Sequence, residues 1–185
     1  MSTNLPMKNE IESNFVTDLD GTLIYDDVTQ LATKLYIKKN IFNVLNLALW
    51  LTRGIAYYKY QLASKIFIDP KKLHYNHKFL SYIKVQKASG MKIFLATGCD
   101  EKYAQQIADY LGIFDGVLAS NGIINLIAQN KANALKNIFG KNFTYAGNSF
   151  NDIAIWNVCD KSILVTPTKL ALKKMKNKSY ILFEE

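Results

Sequence analysis

The chain has 185 residues, and 49% of them are hydrophobic, which is enough apolar material for one α/β core with a small inserted module. Its formal net charge is +8, but Arg53 is the only arginine. The chain therefore has only one guanidinium group, the group that often binds phosphates and nucleic acids in a bidentate manner. We therefore expect a solvated, lysine-rich surface and no nucleic-acid partner, and the two cysteines, Cys99 and Cys159, favour neither a disulfide framework nor a zinc site.

The sequence shows neither a targeting signal nor a membrane-spanning segment. The amino terminus, MSTNLPMKNE, contains no apolar stretch that could act as a signal peptide. The longest apolar run, IFNVLNLALWL at 41–51, is too short to cross a bilayer. We therefore expect a cytoplasmic protein.

Short apolar runs alternate with helical patterns along the chain, and this alternation is typical of a parallel α/β sheet. A gap of roughly 70 residues separates the first run from the second, which is far more than one crossover helix needs. The predicted strands, in chain order, are 14–18, 92–97, 116–120, 143–147 and 162–165.

The gap after the first strand predicts an inserted element of two or three helices. Asp69-Pro70 is a turn signal that closes it. Its apolar residues exceed what an exposed linker would carry, so we expect its helices to pack on one another, on the core or on an apolar leaving group. The predicted division is a core of 1–24 and 72–185 with a helical cap inserted over 25–71.

Further helices are predicted around the later strands. One from about 74 to 89 rejoins the core, and a last helix is expected to start at Thr166-Pro167, because proline suits the first helical position. Two others end at Gly112 and Gly140 and carry apolar residues at helical spacing. Their predicted inward faces consist of Tyr103, Ile107 and Leu111, and of Leu135, Ile138 and Phe139.

Polar residues at the carboxyl ends of the predicted strands make a chemically coherent set. Functional groups gather at this edge of an open parallel sheet. A carboxylate can attack phosphorus, a second can move protons, a hydroxyl and an ammonium can hold phosphate oxygens, and oxygen ligands suit Mg²⁺. A metal and a lysine would also relieve the repulsion between two acids at the end of a buried strand. The set consists of Asp18, Asp20, Thr97, Gly98, Lys131, Asn148 and Asp152.

DLDGTL at 18–23 resembles the first motif of the haloacid dehalogenase (HAD) superfamily, and the other three motifs follow in the family's order. FLATG at 94–98 is similar to the second motif, Lys131 to the third and GNSFND at 147–152 to the fourth. The resemblance implies a three-layer Rossmann-like parallel sheet of order 3-2-1-4-5, flanked by helices, with a small helical cap after the first strand.

A more detailed resemblance extends to the HAD domains that are fused to polyprenyl-type aromatic prenyltransferases. It rests on LATGCDEKYAQQIADYLGIFDGVLASNG, NLIAQNKANAL and FTYAGNSFNDIAIW, and on a W-L-x-R-G feature at 50–54 in the insertion. It implies a weak association with a prenyltransferase or a membrane surface.

The resemblance implies a Mg²⁺-dependent phosphatase that hydrolyses a small-molecule phosphomonoester through an aspartyl-phosphate. Asp18 would attack phosphorus, and Asp20 would protonate the leaving group and then activate water. Thr97 and the backbone at Gly98 would hold the phosphoryl group, and Lys131 would steady its charge.

The resemblance also implies the Mg²⁺ ligands, which are Asp18, the backbone carbonyl of Asp20 and Asn148, with Asp152 bound either directly or through water. The fourth motif usually begins Gly-Asp, and asparagine at 148 removes one negative charge, so we expect weaker Mg²⁺ binding. Asp152 could also complete a capping box with Ser149, and both roles can coexist.

A second interpretation is a catalytically weak HAD-fold binding or regulatory module that docks on a membrane face or a protein partner. Asn148 and the apolar, lysine-flanked segment 38–59 favour this interpretation. Asp26 and Asp27 are expected to cap the first inserted helix, and Lys59 is a further residue that could reach a substrate.

Overall fold

The computed structural model describes residues 14–184. Its strands are β1 (Asn14–Thr17), β2 (Lys92–Asp100), β3 (Gly116–Ser120), β4 (Phe143–Gly147), β5 (Lys161–Val165) and β6 (Ile181–Phe183). They form one parallel sheet in the order β3-β2-β1-β4-β5-β6. This confirms the predicted α/β fold and the order 3-2-1-4-5, and it adds β6 as an edge strand that the sequence did not predict.

Eight α-helices occur in the described residues: α1 (Val28–Lys39), α2 (Asn43–Thr52), α3 (Ile55–Lys65), α4 (His77–Ala88), α5 (Glu101–Leu111), α6 (Ala128–Phe139), α7 (Ile153–Trp156) and α8 (Lys169–Met175). The Asp27 carboxylate caps α1 as predicted, since it accepts a hydrogen bond from the backbone N–H of Gln30 (2.8 Å). Asp26 does not cap this helix but pairs with His74 (3.1 Å).

Successive strand residues pack into two separate apolar clusters, one on each face of the sheet. Phe15 of β1 belongs to a cluster with Phe79 of α4 and Ile107 of α5. Its neighbour Val16 belongs to the other cluster, with Leu135 of α6. Both faces are therefore covered by helices, which explains why the strands read as short continuous apolar runs rather than alternating ones.

The three helices between β1 and α4 pack on the first of these clusters. Val28 and Ala32 of α1 and Leu62 of α3 are fully buried in the same cluster as Phe15. These helices therefore share apolar packing with the sheet. The division into a core of 1–24 and 72–185 and a cap of 25–71 stays a prediction.

Most apolar residues of α2 are exposed, which contradicts the expectation that they pack on other parts of the protein. α2 packs through one side only, where Trp50 stacks on Tyr36 of α1 with ring centroids 5.1 Å apart. Leu47 is the other buried residue of α2. The apolar residues of α2 and of the turn before it that remain exposed are Ile41, Phe42, Val44, Leu45, Leu49 and Leu51.

Three smaller expectations are also wrong. α4 begins at His77 rather than at His74, because the Asn76 side chain accepts a hydrogen bond from the N–H of Phe79 (3.0 Å) and caps the helix there. α8 begins at Lys169, since the hydroxyl of Thr168 rather than the proline provides its cap. Ile138 is exposed although its spacing places it with the inward residues of α6.

The amino-terminal stretch MSTNLPMKNE, in which we expect no signal peptide, lies outside the described residues. Within 14–184, no helix combines the length and the hydropathy that a membrane span requires.

Candidate active site

The predicted site residues surround one cavity at the carboxyl edge of the sheet. β1 lies between β2 and β4, so the carboxyl ends of these three strands bring distant segments together. The cavity has a volume of about 530 Å³. The predicted residues among those that line it are Asp18, Asp20, Gly98, Lys131, Asn148 and Asp152.

Thr97 takes a different position, because its side chain is fully buried. Its hydroxyl oxygen accepts a hydrogen bond from the backbone N–H of Cys99 (3.1 Å). Gly98 and Cys99 both line the cavity, whereas Thr97 does not. Thr97 therefore supports the backbone of the cavity wall. Burial raises the pKa of the Cys99 thiol well above its usual range, which keeps it protonated and a poor nucleophile.

Asp18 and Lys131 form a buried ion pair at the bottom of the site. The Lys131 ammonium donates a hydrogen bond to the Asp18 carboxylate (2.9 Å), and both side chains are almost fully removed from solvent. Burial raises the pKa of Asp18 to about 6, although the charge of Lys131 acts in the opposite direction. Burial alone would lower the pKa of Lys131, but Asp18 and Asp152 outweigh it and raise that pKa, so this lysine stays charged.

Tyr145 connects Lys131 to Asp152 and was missed from the sequence. Its hydroxyl accepts a hydrogen bond from Lys131 Nζ (3.1 Å) and donates one to Asp152 Oδ1 (2.7 Å). Burial raises the pKa of this phenol well above its usual range, so it remains a donor to the carboxylate. A tyrosine inside a fully buried strand needs a partner for its hydroxyl, and that signal in FTYAG could have identified it.

Asp152 is held by the chain on both carboxylate oxygens. Oδ2 accepts hydrogen bonds from the backbone N–H groups of Asn148 (3.1 Å) and Ser149 (2.9 Å) and from the Ser149 hydroxyl (2.9 Å). The predicted capping box with Ser149 is therefore confirmed. Through these bonds Asp152 fixes the loop that carries Asn148 at the end of β4.

Asp20 couples the site to the first inserted helix. Its Oδ1 accepts a hydrogen bond from the backbone N–H of Val28, the first residue of α1 (2.9 Å). Burial raises the pKa of Asp20 to about 7, well above the usual range of an aspartate, although the bond from Val28 acts in the opposite direction. A carboxyl group with such a pKa is partly protonated at neutral pH and can deliver a proton.

In the metal-free protein, the free energy of unfolding is expected to fall as the pH rises from 3.8 to about 7. Between these values the folded protein holds a proton on Asp20 that the unfolded chain has already released, so folding is favoured at the acidic end of the range. Denaturant unfolding in EDTA, repeated across this range, measures the slope. Asp20→Asn should reduce the slope and leave the part that comes from Asp18, whose pKa is also raised, whereas Asp109→Asn on the exposed side of α5 should leave the slope unchanged. Equal slopes in the wild type and in Asp20→Asn would contradict the shift.

Gly21 is required by a close approach to Asn148. Its φ of +71° lies in the left-handed region, and a Cβ at this position would come within 2.2 Å of Asn148 Nδ2. The glycine of DLDGTL therefore lets the turn after β1 pass over the Asn148 amide.

Lys59 of α3 also enters the site, although it matches none of the four motifs. Its ammonium donates hydrogen bonds to the Gly98 carbonyl (2.6 Å) and to Asn125 Oδ1 (2.7 Å). The Ser120 hydroxyl donates to the same carbonyl (2.7 Å), so α3 and the end of β3 both meet the end of β2 there. Burial lowers the pKa of Lys59, and the inserted helices thus reach the cavity wall through a largely desolvated cation.

The donors around the cavity are hard oxygen atoms, which fit Mg²⁺ better than a softer metal. Asp18 and Asp20 supply carboxylate or carbonyl oxygen, and Asn148 supplies an amide. Asp152 has both oxygens engaged by protein donors, so an indirect contact suits it better than a direct one. Within 14–184, no three acidic, histidine or cysteine side chains gather in a metal-binding cluster.

Comparison of the fold places it beside known phosphatases. A phosphoserine phosphatase solved with its substrate is similar with a TM-score of 0.67 and 14% identity, over 96% of this chain and 95% of that one. A HAD family hydrolase from Salmonella enterica serovar Typhi has a TM-score of 0.64 and 15% identity, over 90% of this chain and 67% of that one. The fold is that of the HAD phosphatases. A phospho-aspartyl intermediate analogue of phosphoserine phosphatase is similar over 94% of each chain, with a TM-score of 0.64 and 16% identity.

Sequence comparison adds one relative. No family model matches the chain. An uncharacterized protein of Sinorhizobium fredii is 30% identical over 159 residues, which are 81% of this chain and 29% of that protein. The chain therefore spans less than a third of the length of this curated relative.

Proposed function

We propose that this chain is a cytoplasmic, Mg²⁺-dependent phosphatase of the HAD superfamily, which hydrolyses a small phosphomonoester through an aspartyl-phosphate on Asp18. The observation that carries the proposal is the buried Asp18–Lys131 pair (2.9 Å) at the base of a cavity that Asp20 also lines. Burying Asp18 and Lys131 removes two charges from water, which costs free energy of folding. A phosphoryl-transfer site is a reason to keep such a pair.

The first step is the attack of an Asp18 oxygen on phosphorus. The bond between phosphorus and the ester oxygen breaks, and Asp20 donates its proton to the leaving oxygen. Lys131 holds Asp18 in place and balances negative charge on the transferring group, which the backbone at Gly98 contacts. Thr97 supports this backbone from behind, because its buried hydroxyl accepts the hydrogen bond from the N–H of Cys99. In the second step Asp20, now a carboxylate, takes a proton from water, and this water releases phosphate from Asp18.

Asp18, the Asp20 carbonyl and Asn148 would hold Mg²⁺, with Asp152 acting through water. When bound, Mg²⁺ would neutralise charge on the phosphate oxygens and on Asp18. Tyr145 and the capping box keep Asp152 and the Asn148 loop in position for this role.

Asn148→Asp is expected to tighten Mg²⁺ binding, because it restores an anionic oxygen beside Asp18. The gain should be about tenfold, which corresponds to roughly 1.4 kcal/mol of added attraction. Isothermal titration with MgCl₂ measures it. Asn151→Asp, which adds the same charge elsewhere on the cavity wall, is the matched control and should gain less. An unchanged affinity in Asn148→Asp would remove residue 148 from the metal site.

The inserted helices would select the substrate. Lys59 of α3 and Gln30 of α1 line the cavity together with the core residues, and the Lys59 bonds to Gly98 and Asn125 tie α3 to the wall. The lining mixes polar and apolar side chains, because Ile55 and Ile127 lie there beside Gln30 and Lys59. The helices can therefore offer both hydrogen bonds and apolar contacts to a leaving group, and a cavity of about 530 Å³ accommodates a small phosphate ester.

The alternative is a catalytically weak binding or regulatory module, which docks on a membrane face or a protein partner. Asn148 and the exposed apolar residues of α2 favour it. A screen of phosphomonoesters with Mg²⁺ separates the two functions. Turnover of any ester supports the phosphatase, and a folded protein inactive on all of them supports the module. The association with a prenyltransferase, which the motif resemblance implies, stays a prediction.

A further inference from the structure

Four large apolar side chains on α2 and on the turn before it face outward. We call Ile41, Phe42, Leu45 and Leu49 the α2 surface. Phe42 is 74% exposed and Leu45 is 68% exposed. Phe42, Leu45 and Leu49 recur at helical spacing and therefore project from one side of the helix. Large apolar side chains that are exposed together in this way mark a candidate interaction site.

The orientation of α2 is fixed by contacts on its opposite side. Trp50 stacks on Tyr36 of α1, with ring centroids 5.1 Å apart. Asn43 donates a hydrogen bond to the Tyr36 carbonyl (2.7 Å), and Asn46 donates one to the Tyr36 hydroxyl (3.2 Å). The ring, the carbonyl and the hydroxyl of Tyr36 thus all contact α2. These contacts turn the α2 surface outward.

The charged side chains of the segment that carries the α2 surface all have one sign. The segment 28–68, which includes α1, α2 and α3, contains no aspartate or glutamate. Lys38 and Lys39 end α1 immediately before the α2 surface, and exposed Arg53 follows α2. The cations of the segment are Lys34, Lys38, Lys39, Arg53, Lys59 and Lys65.

A cleft beside Lys38 and Lys39 is also lined by apolar side chains and lysines. It has a volume of about 450 Å³ and is lined by Leu35, Ile66 and Phe67 together with these two lysines. Phe67 is also exposed. Apolar side chains and lysines therefore alternate over an area larger than α2 alone.

We propose that the α2 surface docks on the face of an anionic lipid bilayer. Its large apolar side chains would enter the boundary between headgroups and acyl chains, and Lys38, Lys39 and Arg53 would contact anionic headgroups. The lack of acidic residues over 28–68 fits an anionic lipid surface better than a protein partner of mixed charge. This docking is independent of the proposed catalysis, because none of these residues lines the Asp18 cavity.

The test is co-sedimentation of the full chain with vesicles of equal parts phosphatidylcholine and phosphatidylglycerol, and with vesicles of phosphatidylcholine alone. We expect binding to the anionic vesicles that weakens as salt is added, since screening reduces the contribution of the lysines. Phe42→Ser/Leu45→Ser should weaken binding about tenfold or more, because two inserted apolar side chains are lost. Lys38→Gln/Lys39→Gln should weaken binding and reduce its dependence on salt.

Val85→Ser/Ile138→Ser is the matched control, since it removes two exposed apolar side chains from α4 and α6. It should bind vesicles like the wild type. So should Asp18→Asn, which separates failure of docking from failure of catalysis. The proposal would be overturned if the wild-type protein did not bind anionic vesicles. It would also be overturned if the control lost as much vesicle binding as Phe42→Ser/Leu45→Ser. Self-association in sedimentation equilibrium that Phe42→Ser/Leu45→Ser abolishes, without vesicle binding, would assign the α2 surface to a second copy of the chain and also overturn it.

Discussion

Asp18→Asn is expected to abolish phosphoester hydrolysis, with a loss of at least about 10³-fold in kcat for an aryl phosphate in the presence of Mg²⁺. The amide is a poor nucleophile, and it cannot form the acyl phosphate through which the reaction would proceed. The substitution keeps the shape of the side chain, so the buried contacts around Lys131 should survive. Steady-state kinetics and a thermal melt together measure both expectations.

Asp109→Asn is the control for this substitution, because it makes the same chemical change at an exposed carboxylate of α5. It should retain full turnover. Turnover of Asp18→Asn within a few-fold of the wild type, in a protein free of contaminating phosphatase, would remove Asp18 from the role of nucleophile.

Lys131→Met is expected to lower the free energy of unfolding by about 3–5 kcal/mol at neutral pH, the usual cost of removing one partner from a buried ion pair. Lys131 is almost fully buried and lies 2.9 Å from Asp18 and 3.9 Å from Asp152. Methionine fills a similar volume but leaves both carboxylates without their cation. Activity should fall by about 10³-fold as well, since a charge that balances the transferring phosphoryl group is lost.

Urea unfolding measures the loss of stability, and Lys136→Met on the exposed side of the same helix is its control. The double variant Asp18→Asn/Lys131→Met should regain part of the stability, because it removes one of the two uncompensated carboxylates. A Lys131→Met protein as stable as Lys136→Met would mean that the pair contributes little. A double variant less stable than Lys131→Met would contradict the stated origin of the loss.

The sheet was predictable because five of its strands, β1 to β5, leave strong local patterns. β3 and β4 match their predicted bounds, since each is a short apolar run between turn residues. β6 was missed because ILF is only three residues long and follows a lysine-rich stretch with no strand periodicity. An edge strand of this length forms only because β5 offers its hydrogen-bonding edge.

The motif residues that line the cavity could be brought together from the sequence, because each motif lies at a strand end or a helix start, where local sequence fixes the position. Their catalytic roles stay a prediction. Tyr145 and Lys59 lie outside the four motifs, so the motifs identify neither of them, although Lys59 was expected to reach a substrate. The partners of Lys59 are 39 and 66 residues away in the chain, and no local pattern brings them together. Thr97 shows the reverse case, because the motif identifies the residue but not the burial of its side chain.

The insertion shows a third limit, which concerns what covers an apolar helix face. The spacing of Leu45 and Leu49 indicates an amphipathic helix, but the same pattern serves a packed helix and an exposed one. Which face turns inward was decided by the contact between Trp50 and Tyr36, two aromatic residues on different helices.

The central claim, that Asp18 carries the phosphoryl group, is tested most directly by trapping the intermediate. Asp20→Asn removes the group that activates water, so the phosphorylated form should accumulate when this variant is mixed with Mg²⁺ and an aryl phosphate whose leaving group needs no proton. After acid quenching and borohydride reduction, an acyl phosphate becomes an alcohol that peptide mass spectrometry can locate. We predict conversion at Asp18, and none in the Asp18→Asn/Asp20→Asn protein. Phosphorylation at another residue, or turnover by the wild type with no trapped species on Asp18, would contradict the account.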